Sequence, residues 1–237
     1  ENFASGQELG SAFAVFHGAT PLVDLWAGHA NADRTVEVTE RTVYGINSSS
    51  KGLAAVAIAI LVDRNKLEYE QPVSVYWPEF AASGKSSITV GELMSHQAGL
   101  VGTRAPVTLE DFMGQRRVAA LLAEQEPFFL PGVWGYHALT IGTLADELVR
   151  RVDGRTLSEF FTEEVSGPLG LDAFLGLPAA EDHRYAETVG GFDPSALAFD
   201  FPDADCVQAA MGNPPLAADW ANLRSWREAG QAGAGAC

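Results

Sequence analysis

Two apolar segments near the N-terminus predict a β-hairpin. Residues 11–17 (SAFAVFH) and 21–26 (PLVDLW) are rich in apolar side chains and are joined by the loop Gly18-Ala19-Thr20. Two such runs around a short glycine-bearing loop are typical of paired antiparallel strands. Because a two-stranded hairpin is marginal in water, we expect further strands, helices or another chain to cover it.

The remaining periodicity is mostly helical. Apolar residues at three- and four-residue intervals predict a long helix from Ser48 to Asn65, and because this helix is apolar nearly all round we expect it to be buried on most sides. Thr89-Val-Gly-Glu92 has the form of a capping box and predicts a helix that ends near Gly99. Further helices are predicted over residues 108–124, 139–152, 156–165 and 217–228.

Two C-terminal stretches carry no helical or strand pattern. Residues 170–215 are rich in Gly, Pro and Asp and are predicted to form loops, and the tail 230–237 (GQAGAGAC) has no predicted element. The chain is therefore interpreted as one domain over residues 1–237. It divides into a hairpin with the long helix (1–65), a mostly helical region (66–178) and a loop-rich tail (179–237).

Composition and charge exclude several functions. The chain is 47% hydrophobic and 19% charged, which is typical of a folded protein, and its net charge of -16 argues against binding to nucleic acid or anionic lipid. The longest apolar stretch, 52–62, is too short to span a bilayer. The polar start ENFASGQELG is not a signal peptide, so a cytoplasmic location is predicted, or a periplasmic or secreted one if an upstream signal has been removed.

The cysteines and histidines show no metal-site spacing. Cys206 and Cys237 can form at most one disulfide, and Cys237, as the last residue, is predicted to carry a frayed thiol. The histidines are also too scattered for a metal site, and His96 is interpreted as structural. No cofactor and no metal are therefore predicted.

The segment Ser48-Ser49-Ser50-Lys51 has the residue types of a serine nucleophile and its base. Ser48 and Lys51 lie three residues apart, so their side chains share one face of the first helical turn. A partly desolvated lysine has a lowered pKa and can take the proton of a serine hydroxyl, which is otherwise a poor nucleophile. In the alternative interpretation, Ser48 or Ser49 only caps the helix and Lys51 is solvated.

Three segments resemble the serine β-lactamase and penicillin-binding-protein superfamily in its class C-like branch. They are TVYGINSSSKGLAAVAIAILVDRNKLEYEQPVSVYWPEF, ITVGELMSHQAGL and PGVWGYHALTIGTLADELVRRVDGRTLSEFFTEEVSGPLGL. Their order and spacing agree with the superfamily over residues 10–178, and the most similar members are the family VIII carboxylesterases. The resemblance implies an α/β fold of the β-lactamase (D,D-peptidase) type, in which a helical subdomain is inserted into an antiparallel sheet.

The resemblance also implies three catalytic roles. Ser48 matches the acylated nucleophile, Lys51 its partner, and Tyr136 the tyrosine of the second motif. Tyr136 and Lys51 would exchange the proton needed for acylation and deacylation. Without the resemblance, Tyr136 beside Trp134 is interpreted as a core residue, and Trp134 and His137 either line the acyl pocket or only pack.

Two departures from the family pattern bear on the substrate. The second motif reads Tyr136-His137-Ala138, so alanine replaces the asparagine that would help to hold a β-lactam amide. No lysine follows Tyr136 and no convincing W-x-G or H-x-G follows Gly154, so the third motif is absent. Relatives carry that motif on a late strand, and the chain is therefore expected to be C-terminally truncated, with its last strands missing.

The resulting prediction is a serine hydrolase that cleaves carboxylic esters with short acyl groups through an acyl-enzyme on Ser48. One alternative is β-lactamase or D,D-peptidase activity on the same scaffold. Another is an impaired fragment or pseudoenzyme that needs a second chain. The predicted partner is a small-molecule ester, and an exposed sheet edge is expected to favour homo-oligomers.

Overall fold

The N-terminal hairpin is formed as predicted. The computed structural model describes residues 2–190, 204–215 and 217–237, and within these ranges the only sheet is a two-stranded antiparallel one. Strand β1 (Gly10–His17) pairs with β2 (Thr20–Gly28) from Gly10 opposite Gly28 to His17 opposite Thr20. The turn holds Gly18 at a φ of 61°, which glycine adopts without strain.

Helices make up most of the rest of the described chain. The α-helices are α1 (Asn2–Ser5), α2 (Ser50–Asp63), α3 (Val73–Tyr76), α4 (Val90–Met94), α5 (Leu109–Gly114), α6 (Arg116–Glu124), α7 (Thr140–Asp153), α8 (Leu157–Phe161), α9 (Gly167–Leu169), α10 (Ala204–Met211) and α11 (Arg224–Glu228). Short 3-10 helices cover Asn47–Ser49, Pro78–Ala81, Ala179–Arg184 and Ala218–Asn222, and a π-helical segment covers Thr162–Ser166.

Helix α2 lies where the long helix is predicted but is buried on one side only. A 3-10 turn over Asn47–Ser49 precedes it, and its buried face packs on α7 and α8 through Ala54, Ala57, Ile58 and Leu61. The opposite face is exposed, with Val56 at 44%. The expectation of burial on most sides is wrong because much of the apolar run is alanine, whose small side chain is tolerated in water as well as in a core.

The region predicted as one helix over residues 108–124 contains two. Gln115, at a φ of 57°, separates α5 from α6. Phe112 and Val118 lie on either side of the break and are both buried. In a continuous helix these two residues would point about 120° apart, so the break allows both to reach the core.

The helix that begins at Thr89 is shorter than predicted. The capping box of Thr89 and Glu92 is present, but α4 ends at Met94 and the chain then turns at His96 (φ 64°) and Gly99 (φ 66°). Helix α7 follows its prediction closely and is closed by Gly154 in the left-handed conformation. The turn at His96 follows α4, and the segment that carries Tyr136 leads into α7.

The C-terminal region is more ordered than predicted. Helix α10 and the 3-10 helix Ala179–Arg184 lie within the stretch predicted as loops, while residues 191–203 of that stretch lie outside the described residues. The helix predicted over 217–228 appears as a 3-10 segment followed by α11.

The prediction of an unstructured tail with a frayed Cys237 thiol is wrong. Ala232, Ala236 and Cys237 are buried, and the backbone of Cys237 exchanges hydrogen bonds with that of Phe174 (2.7 and 2.9 Å). The small Gly and Ala residues allow the tail to approach other backbone closely, which hydrophobic periodicity does not reveal. Cys237 and Cys206 do not form a disulfide.

The described residues leave the hairpin largely uncovered. Its large apolar side chains that are more than half exposed are Phe13 (62%), Phe16 (58%), Leu22 (64%) and Leu25 (63%). The main core lies elsewhere, between α2, α4, α6, α7 and α8. Among the described residues, no helix is both long and apolar enough to cross a membrane.

Candidate active site

The three consecutive serines occupy different environments at the start of α2. Ser48 lies in the 3-10 turn and is exposed, as is Ser49, whereas Ser50 is fully buried and its hydroxyl donates to the Asn47 carbonyl (2.5 Å). Asn47 precedes Ser48 at a φ of 46°, an uncommon conformation for a residue other than glycine. The turn therefore presents Ser48 and Ser49 to solvent and withdraws Ser50.

Lys51 contacts Ser48 and is held in place on a second side by the tail. Its Nζ donates to Ser48 Oγ (3.1 Å) and to the carbonyl oxygen of Gly233 (2.5 Å). Burial lowers the pKa of Lys51 below its ordinary value, and the hydrogen bond and charge interaction with Tyr136 oppose this in part. The result is an ammonium that gives up its proton more readily than a solvated lysine, beside a serine hydroxyl.

Tyr136 completes the group that the sequence predicts. The Lys51 Nζ lies 4.9 Å from the centroid of the Tyr136 ring. Tyr136 is partly exposed and therefore lies at the surface of the site, so its interpretation as a core residue is wrong. The structure thus brings Ser48, Lys51 and Tyr136 together from two segments 85 residues apart in the chain.

His137 fixes the loop that carries Tyr136. Its buried ring donates from Nδ1 to the Gly135 carbonyl (2.6 Å), and its Nε2 accepts the backbone N–H of Leu100 (3.0 Å). Burial lowers the pKa of His137 to about 4, so the ring is neutral and both nitrogens are used. Of the two predicted roles for His137, packing is therefore the one observed, whereas Trp134 is 67% exposed.

His96 lies between this loop and α4. Its Nδ1 accepts the backbone N–H of His137 (3.0 Å), and its ring centroid is 5.1 Å from that of Tyr136. Burial, and to a lesser degree the charge of Lys51, lower the pKa of His96. The ring therefore favours the neutral form that this hydrogen bond requires.

The sequence did not identify the contribution of the tail. Gly233 supplies only a backbone carbonyl, which any residue could supply, so its side chain gives no indication of the role. A spatial constraint explains the residue type: a Cβ added to Gly233 would lie 2.5 Å from the backbone oxygen of Leu139. The run of small residues in GQAGAGAC was the one available signal for a close backbone approach.

The described residues contain no group of three or more His, Cys, Asp or Glu side chains arranged to hold a metal ion. The polar groups gathered at Ser48 are a lysine ammonium, a phenol and a backbone carbonyl. Such a set can accept, hold and return a proton at a serine hydroxyl.

Comparisons with known proteins identify the family and the fold. A model of the beta-lactamase family matches residues 1–235. A family VIII carboxylesterase of known structure superimposes with a TM-score of 0.90 at 40% identity, over 99% of this chain and 62% of that chain. A penicillin-binding protein homologue from Caulobacter crescentus gives a TM-score of 0.88 at 37% identity, with the same coverage of each chain.

Curated relatives also point to the beta-lactamase family. The esterase/beta-lactamase LipL of Mycobacterium tuberculosis is 39% identical over 191 residues, which is 80% of this chain and 44% of that protein. The chain thus spans about half the length of the curated relatives it matches. The predicted β-lactamase-like fold and the predicted resemblance are confirmed, and the chain belongs to the beta-lactamase family.

Proposed function

We propose that this chain carries the nucleophile of a serine hydrolase that cleaves carboxylic esters with short acyl groups. The contact of 3.1 Å between Lys51 Nζ and Ser48 Oγ carries the proposal, because it pairs a nucleophile with a base. Relatives described as a family VIII carboxylesterase and as an esterase/beta-lactamase support the reaction class.

In acylation, Ser48 Oγ forms a bond to the ester carbonyl carbon while its proton passes to the neutral amine of Lys51. The backbone N–H of Ser48, in the 3-10 turn that precedes α2, would stabilise the oxyanion. Collapse of the tetrahedral intermediate breaks the carbon–oxygen bond of the ester, and the Lys51 ammonium returns the proton to the leaving alkoxide through Tyr136.

Deacylation repeats these steps with water as the nucleophile. Tyr136 and Lys51 remove a proton from water as its oxygen forms a bond to the acyl carbon. The bond between the acyl carbon and Ser48 Oγ then breaks, the carboxylic acid leaves, and the proton returns to Ser48 Oγ. The neutral rings of His96 and His137 support this exchange by holding the Tyr136 loop without placing a further positive charge beside Lys51.

Ester hydrolysis is expected to exceed β-lactam hydrolysis. Ala138 cannot hydrogen-bond a β-lactam amide through its side chain. Loss of such polar contacts costs on the order of 1–3 kcal/mol each. We therefore expect kcat/KM for p-nitrophenyl acetate to be higher than that for nitrocefin.

Ala138→Asn gives the matched control for this preference. Restoring the amide is expected to raise the nitrocefin rate relative to the p-nitrophenyl acetate rate. If the unmodified chain turned over nitrocefin with the higher kcat/KM, the alternative of a β-lactamase would replace the ester proposal. Failure to form any covalent adduct with a fluorophosphonate would favour the pseudoenzyme alternative.

We also propose that the hairpin pairs with a second copy of this chain. Phe13 and Leu25, which face each other across the strands, are both largely exposed, and uncovered strand edges pair readily. The net charge of -16 opposes this association only in part. Light scattering is therefore expected to show species larger than one chain.

The double variant Leu22→Lys with Leu25→Lys is expected to shift the scattering mass toward that of one chain. Leu169→Lys with Leu171→Lys adds the same charge at exposed leucines outside the hairpin and is expected to leave the mass unchanged. A monodisperse single chain before any substitution would contradict this proposal.

A cytoplasmic location is also proposed. The Cys237 thiol is buried and forms no disulfide, which fits a reducing compartment. Fractionation of the cells that make the natural gene product tests this, and recovery in a periplasmic or secreted fraction would contradict it.

A further inference from the structure

Gln231 is the most fully engaged buried side chain of the tail. It has no exposed surface. Its Nε2 donates to the Leu139 carbonyl (2.8 Å), while its Oε1 accepts the backbone N–H groups of Gly233 (2.6 Å) and Ala234 (3.2 Å). One amide therefore satisfies three backbone groups on two separate segments.

Both of those segments reach Lys51. Leu139 is the N-cap residue of α7 and follows Tyr136 by three residues. Gly233 provides the carbonyl that accepts from Lys51 Nζ. The Gln231 amide consequently lies between the segment that carries Tyr136 and the backbone that holds Lys51.

The packing around this amide leaves the Gly233 carbonyl little freedom. A Cβ added at Gly233 would lie 2.5 Å from the Leu139 oxygen, and one added at Gly142 would lie 2.2 Å from the Gly233 nitrogen. The tail is thus pressed against the first turn of α7. The Gln231 hydrogen bonds select one arrangement within this close contact.

We propose that Gln231 is a positioning residue that holds the Gly233 carbonyl against the Lys51 ammonium and joins it to the segment carrying Tyr136. The inference deepens the proposed function, because it rests on the role given there to Lys51. Gln231 itself acts only through the backbone of Leu139 and Gly233.

The proposal has a measurable consequence for the titration of Lys51. A carbonyl acceptor favours the charged amine, so displacing it lowers the pKa of Lys51 further. The other groups that face Lys51 are the Ser48 hydroxyl, the Tyr136 phenol and the His96 imidazole, and none of them lies on the tail. A change at Gln231 therefore reaches Lys51 through the backbone of Gly233 and, by way of Leu139, through the segment that carries Tyr136.

The titration can be read directly because the chain has only three lysines, Lys51, Lys66 and Lys85. We would label lysine with ¹³C at Cε, follow the three NMR signals across pH, and assign Lys51 by its loss in Lys51→Arg. In Gln231→Met, which keeps the side-chain length but makes none of the three hydrogen bonds, the Lys51 midpoint is expected to fall by about one pH unit. The Lys66 midpoint is expected to stay unchanged.

Gln231→Glu tests the same contact with the opposite sign. An ionised carboxylate next to Gly233 brings negative charge toward Lys51, so the Lys51 midpoint is expected to rise above that of Gln231→Met. This variant is close in shape to the natural residue and keeps the test open if Gln231→Met does not fold.

Gln125→Met is the matched control. The Gln125 amide also bonds to backbone groups with both of its atoms, accepting from Arg104 N–H (3.1 Å) and donating to the Gly102 carbonyl (2.9 Å), but these bonds go to the segment 102–104 and not to the tail. In Gln125→Met, the titration midpoint of Lys51 is expected to equal that of the unmodified chain. An equal Lys51 shift in Gln125→Met, or no shift in folded Gln231→Met and Gln231→Glu, would overturn the proposal.

The NMR titration of Lys51 needs no turnover, so the proposed ester hydrolysis and the proposed role of Gln231 can be refuted independently. A chain that hydrolyses no ester and forms no fluorophosphonate adduct would refute the proposed function, while the Lys51 titration would still decide the role of Gln231. In an active chain, the acid limb of kcat/KM in Gln231→Met is expected to move to lower pH together with the Lys51 midpoint.

Discussion

Replacing Ser48 by alanine is expected to abolish covalent labelling by a fluorophosphonate and to lower ester hydrolysis by more than about 10³-fold. Ser48 is exposed and its Oγ lies 3.1 Å from Lys51 Nζ, so it has both access to substrate and a base. The substitution removes the oxygen atom that would be acylated, and no other side chain at the site can take its place. Mass spectrometry of the labelled peptide together with p-nitrophenyl acetate rates provides the measurement.

The neighbouring serines supply the controls for this prediction. Ser49→Ala removes an exposed hydroxyl from the same turn and is expected to retain most of the labelling. Ser50 is buried, with its hydroxyl donated to the Asn47 carbonyl, so it is closed to the probe. Label recovered on Ser49 or Ser50 would show that Ser48 is not the nucleophile.

The elements that the sequence predicted well are those whose signals are local. The hairpin follows from two apolar runs around Gly18, and the start of α4 follows from the reciprocal bonds of Thr89 and Glu92. Helix α7 has both a strong apolar face and a glycine stop at Gly154. In each case a few adjacent residues contain the physical cause of the structure.

The elements that were missed depend on partners distant in the chain. The break at Gln115 is stabilised because it allows Phe112 and Val118 both to be buried in the core. The tail is ordered by contacts with Phe174 and with α7, and its glycines and alanines have no periodicity of their own. Tertiary packing of this kind overrides local propensity and leaves no local pattern.

The same distinction applies to the candidate site. Ser48 and Lys51 could be paired from their spacing on one helical turn, whereas Tyr136 needed a family resemblance, since a tyrosine beside a tryptophan otherwise suggests a core. Gly233 and Gln231 could not be found in either way. They act through a carbonyl and a buried amide, and these roles depend on the position of the backbone rather than on a reactive side chain.

Substitutions at Lys51 are expected to have the second largest effect on catalysis. Lys51→Met removes the base, and Lys51→Arg keeps a positive charge but introduces a guanidinium that does not deprotonate in proteins. Both variants are therefore expected to lose about 10²–10⁴-fold in kcat/KM for p-nitrophenyl acetate. Lys66→Arg, at an exposed position outside the site, is expected to keep the rate of the unmodified chain.

The pH dependence separates a base from a residue that only contributes charge. Burial lowers the pKa of Lys51, so the neutral amine becomes abundant at lower pH than for a solvated lysine. Activity is expected to rise as pH increases through that lowered pKa, since the neutral form is the one that accepts the Ser48 proton. If the positive charge alone were needed, Lys51→Arg would remain active and activity would fall over the same pH range, and either result would remove Lys51 from its proposed role.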